Sequence, residues 1–146
     1  MPNFFSYDST LASLTASLNS LGTSYVDLLL MHWPDCPDRC VDKRQTRADT
    51  WRAFEDAYRA GRCRAIGVSN FDRDHLEELL GSAAVPPHVN QIEVHPYCCP
   101  DELITFCRDK GIFVQGYGPL AKGRTSRERN VLRRFIRNMM VLVATV

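Results

Sequence analysis

No stretch of the 146 residues approaches the roughly 18–20 apolar positions of a membrane-crossing helix, so a membrane role is not expected. An excess of one charge is missing too. Eighteen Lys and Arg stand against seventeen Asp and Glu, a net charge of +1, which argues against a globally basic nucleic-acid binder. Met1-Pro2-Asn3-Phe4-Phe5 has neither the basic region nor the apolar core of a signal peptide, and a cytoplasmic protein is expected. Nor is there a linker or low-complexity segment, so residues 1–146 read as a single domain. Cysteine is present six times, but the second ligand pair of a zinc site is not. Cys36 and Cys40 have CxxxC spacing, and Cys98 and Cys99 are adjacent. Free thiols and no metal site are the expectation.

What the chain does have is 45% hydrophobic residues arranged in two alternating periods. Leu11, Leu14, Leu18 and Leu21 form one helix face, ended by Gly22. Asp27 to Met31 then reads as a buried strand, stopped by Pro34 just past His32 and Trp33. Residues 35–49 are polar without apolar period and read as a loop. The pattern repeats with a helix stripe of Trp51, Phe54 and Tyr58 and a strand over 64–70. A helix follows, capped by Asp72 and lined by Leu76, Leu79 and Leu80. Strand 88–94, a helix begun by Pro100 with Leu103, Ile104 and Cys107 inward, and strand 112–117 complete the order. Such alternation implies an α/β fold with parallel strands. From Lys122 to Arg137 seven basic residues face one acidic residue, and Val131, Leu132, Phe135, Ile136 and Met139 line one side. Residues 123–146 therefore read as a basic amphipathic helix with an apolar end.

In a parallel α/β sheet or barrel, ligands gather at the C-terminal strand ends. Here those ends carry His32, Trp33, Ser69, Asn70, Gln91, Glu93, His95 and Tyr117. The set is mostly neutral hydrogen-bonding groups and aromatic faces, which suits a planar ligand bearing an amide better than a hard cation. Ser69, Asn70 and Gln91 can hold an amide, and Tyr117 can stack on a ring. Each also has a plain structural reading, as a turn residue, a buried amide or a boundary aromatic. A metal-dependent hydrolase using His32, Glu93 and His95 is a further alternative, with no aspartate-rich or HxH cluster behind it.

The runs Ser17–Pro34, Gly61–Phe71, Asn90-Gln91-Ile92-Glu93-Val94-His95-Pro96-Tyr97 and Tyr117-Gly118-Pro119-Leu120 resemble the aldo-keto reductase family. The four motifs stand in family order and spacing over about residues 8–122, and the last resembles 2,5-diketogluconate reductase-like members. The resemblance implies a (β/α)8 barrel that passes hydride from NADPH to a small aldehyde or ketone. It makes His32 the catalytic residue that orients the carbonyl and Trp33 a lining of the substrate pocket. Ser69, Asn70 and Gln91 would hold the nicotinamide carboxamide, Tyr117 would stack on its ring, and backbone at Gly118, Leu120 and Lys122 would approach the pyrophosphate.

A barrel of this kind takes about 250 residues and eight strands. Four are expected here, matching the family's strands four to seven and giving a partial TIM barrel. By the resemblance, the catalytic aspartate, tyrosine and lysine and the loop gripping the 2′-phosphate lie on strands not found in this sequence. A positioned general acid is worth about 10²–10⁴-fold, so impaired turnover is expected. Unpaired strand edges would invite self-association or pairing with a missing barrel half. A non-catalytic cofactor- or partner-binding fragment is the alternative function.

Overall fold

The computed structural model describes residues 6–36, 42–119 and 121. The chain alternates strictly: α1 (Tyr7–Leu21), β1 (Val26–Met31), α2 (Lys43–Arg59), β2 (Cys63–Ser69), α3 (Arg73–Leu80), β3 (Val89–Glu93), α4 (Asp101–Asp109) and β4 (Phe113–Tyr117). Among the described residues the three strand pairings are parallel, in the order β1-β2-β3-β4. Among the described residues no helix is long and apolar enough to cross a membrane.

Local signals explain most boundaries. Ser6 caps α1 by accepting from the Ser9 N–H, and Gly22 ends it at φ 64°, a left-handed conformation that glycine adopts without Cβ strain. Asp72 caps α3 through the His75 N–H. One expectation fails. The supposed loop 35–49 turns helical at Lys43, because Asp42 supplies an N-cap to the Gln45 N–H and the run Lys43–Ala48 contains no helix breaker. An apolar period was absent there because the buried positions of that first half are Arg47 and Thr50, polar residues with internal partners. The helix expected beyond residue 122 lies outside the described residues.

Side chains of one strand parity, including Met31, Ile66, Val68, Ile92 and Val114, pack with Leu14, Trp51, Phe54, Leu76 and Cys107 of the helices in one core. The opposite parity forms registered rows on the face away from those helices. Leu30, Gly67, Val89 and Phe113 make an apolar row. Gly67 is obligatory in it, since a Cβ there would stand 2.5 Å from the Val89 carbonyl oxygen. One step toward the strand C-termini comes a polar row of Ser69, Gln91 and Gln115, and beyond it Glu93 beside Tyr117. Polarity thus rises along the strands toward the end where the candidate residues sit.

The thiol expectation also needs correction. Cys63, Cys98, Cys99 and Cys107 keep their thiols, but Cys36 is disulfide-bonded. A cytoplasmic setting favours free thiols in general, whereas bonding at a given cysteine also depends on local Cα and Cβ geometry.

Candidate functional site

Asn70 is the node of the site. It follows the last residue of β2 and holds φ 61°, a left-handed backbone that asparagine tolerates better than most side chains. This turn swings its amide back across the strand ends. Its Nδ2 donates to the His32 carbonyl at 2.9 Å and to Ser69 Oγ at 3.2 Å. Its Oδ1 accepts from the Tyr117 hydroxyl at 2.7 Å. One side chain therefore ties the ends of β1, β2 and β4 together.

Ser69 is buried, and its hydroxyl donates to the Gln91 carbonyl at 2.8 Å, fixing β2 to β3. The Gln91 side chain donates to Gln115 Oε1 at 2.9 Å. Among the described residues its side-chain Oε1 and second amide hydrogen have no partner and stay available for a ligand. With its hydroxyl spent on Asn70, Tyr117 has its ring faces left to offer. Burial first, and then the Glu93 carboxylate, pushes the Tyr117 phenol above the ordinary tyrosine value, which keeps that hydroxyl a donor.

His32 and Trp33 leave β1 together, their ring centroids 5.8 Å apart and both exposed, Trp33 by 51%. Among the described residues the His32 imidazole has no hydrogen-bond partner, so both ring nitrogens can serve a ligand. The segment beneath is braced by Arg47, which donates to the Pro34 carbonyl at 3.1 Å and forks onto both oxygens of Glu78.

The geometry thus brings Ser69, Asn70 and Tyr117 together with Gln91 alongside, and places His32 and Trp33 at the adjoining strand end. Gly118 follows β4 at φ 63°. Leu120 and Lys122 lie outside the described residues. Two participants escaped the sequence reading. Gln115 was signalled by its place on the Tyr117 face of β4, and Arg47 carried no local signal because it lay in the supposed loop. The alternative of a metal site gains no geometry. Both His95 nitrogens are engaged, one by Glu93 and one by the Tyr97 N–H. Among the described residues no three His, Cys, Asp or Glu converge on a common point.

Residues 2–139 match the model of the aldo/keto reductase family. The chain belongs to that family. Glyoxal reductase of Bacillus subtilis (strain 168) is 46% identical over 118 residues, covering 81% of this chain and 40% of the relative. The uncharacterized oxidoreductase YtbE of the same organism is 43% identical, covering 81% and 39%. The chain therefore spans about two fifths of the length of these relatives. Among solved structures, an aldo/keto reductase from Brucella melitensis superposes with a TM-score of 0.76 at 36% identity, covering 96% of this chain and 51% of its own. An aldo-keto reductase of Bombyx mori in complex with NADP gives a TM-score of 0.72 at 34% identity, covering 81% and 39%. The fold is accordingly four parallel βα units of an aldo-keto reductase (β/α)8 barrel.

Proposed function

We propose that this site binds the nicotinamide end of NADP(H) and serves reduction of a small aldehyde or ketone. The observation that carries the reading is the Asn70 network, which sets an open amide (Gln91) and a tethered aromatic ring (Tyr117) on one surface beside a free imidazole (His32). The donor set fits a nicotinamide. Gln91 offers one acceptor and one donor, as a carboxamide requires, and Asn70 Oδ1 keeps a second lone pair. When bound, the cofactor supplies the hydride. Two relatives, a glyoxal reductase and a D-galacturonate reductase of Hypocrea jecorina, support carbonyl substrates.

In this reading Tyr117 stacks on the ring and Gln91 pairs with its carboxamide. Asn70 accepts from the carboxamide, and Ser69 braces both Asn70 and β3. His32 orients the carbonyl oxygen by donating a hydrogen bond, and Trp33 shields the substrate side. The backbone at Gly118, Leu120 and Lys122 approaches the pyrophosphate, as the family motif implies. A second reading, binding without turnover, is favoured by one fact. Tyr117, the tyrosine inside the Asn70 network, donates its hydroxyl hydrogen to Asn70 Oδ1, so that phenol is not aimed at a carbonyl substrate.

Titration with NADPH, followed by nicotinamide fluorescence, tests the proposal. Saturable binding is expected. Gln91→Ala should weaken it about 3–10-fold, the size of a lost hydrogen bond, and Tyr117→Ala about 5–100-fold, the size of a lost stacking partner. A folded chain that binds no NADPH sinks the proposal. Turnover of a small aldehyde that His32→Ala removes would decide for catalysis, and binding with no turnover would decide for the second reading.

A further inference from the structure

Glu93 and His95 take no part in the amide-holding network, yet one of them faces it. Glu93 pairs in register with Tyr117 and shares the Gln91 face of β3 by strand alternation. Its Oε1 is so close to the following turn that a Cβ on Gly118 would stand 3.8 Å from it. His95 fixes the carboxylate there. The Tyr97 N–H donates to Nδ1 at 3.1 Å, which leaves the ring hydrogen on Nε2, and Nε2 lies 3.1 Å from Glu93 Oε1. A ring with one hydrogen orients the carboxylate without cancelling its charge. Among the described residues no lysine or arginine forms an ion pair with Glu93.

A partly exposed carboxylate held in place beside an aromatic surface, with no lysine or arginine paired to it among the described residues, discriminates by charge. It attracts a cation placed on that surface and gains nothing from a neutral ring of the same shape. After burial, the same carboxylate is the second cause that pushes the Tyr117 phenol above its ordinary value, in keeping with its place beside that ring.

We infer that Glu93, positioned by His95, is a charge-selecting residue that tightens binding of the cationic, oxidised nicotinamide relative to the neutral, reduced one. The inference rests on the nicotinamide reading above. Its readout is the ratio of two dissociation constants, for NADP+ and NADPH, measured by calorimetry on the full chain. In Glu93→Gln, which keeps the shape and removes the charge, NADP+ is expected to bind roughly 5- to 20-fold more weakly, with NADPH changed less than about twofold. Glu93→Asp retains the charge but withdraws it from Gly118 and His95, and should fall between. His95→Gln should also fall between and add nothing on top of Glu93→Gln, because His95 acts through that carboxylate. Wild type that binds both forms, with a ratio unmoved by Glu93→Gln, overturns the charge selection and leaves the nicotinamide reading standing. Should Glu93→Gln not fold, an unmoved ratio in Glu93→Asp overturns it equally. Wild type that binds neither form overturns both.

Discussion

At Asn70 a single side chain meets two demands that usually fall on different residues. The backbone sits at φ 61°, where a Cβ-bearing residue is strained, and the amide makes three hydrogen bonds, two of them to other strand ends and one to Ser69. The two demands separate by substitution. Asn70→Ala loses the bonds and keeps the strain, whereas Asn70→Gly loses the bonds and relieves it. Denaturant unfolding should find Asn70→Ala destabilised by about 2–3 kcal/mol and Asn70→Gly by about 1 kcal/mol less. The reverse order would mean that the left-handed turn carries no strain. The sequence placed Asn70 correctly at a strand end, and a neutral amide there pointed to an amide ligand. That the amide is largely spent on the protein was not legible. Its partners, His32 and Tyr117, are 38 and 47 residues away in the chain.

Elements were legible where an apolar period or a cap announced them. All four strands lie within one residue of their expected ends, because short Val/Ile/Leu runs between Gly and Pro allow few alternatives. The first half of α2 was illegible because what holds it is an ion pair rather than a hydrophobic stripe. Arg47 is buried and joins α2 to Glu78 of α3 and to Pro34, the residue that carries the chain away from His32 and Trp33. Removing one partner leaves the other half-buried and uncompensated. Arg47→Ala should cost about 2–3 kcal/mol, below the roughly 3–5 kcal/mol of a fully buried pair because the Glu78 carboxylate is partly wet. A cycle with Glu78→Ala should return a coupling of at least about 1 kcal/mol. Additive losses would show that α2 stands without this clamp.

At the scale of the molecule, the described helices shield one face of the sheet, and the two outer strands have one described neighbour each. Stability should therefore grade from the inner strands to the outer units. Two thiols report on that gradient. Cys63 begins β2, paired on both sides, while Cys107 lies in α4, which leads into the outer strand β4. Burial holds both thiols above their ordinary pKa, so at a given pH less of the reactive thiolate exists in the folded state than in the unfolded one. Alkylation of either must then proceed through opening, and its rate must rise with pH as the exposed thiol ionises. Native-state labelling read by mass spectrometry should modify half-buried Cys98 and Cys99 first. Cys107 should follow through detachment of the α4–β4 unit, and Cys63 only at the rate of global unfolding. Cys63 and Cys107 reacting together would mean that the four βα units open as one. In that case the site at the strand ends, built from β1, β2 and β4 through Asn70, would be lost and regained only with the entire fold.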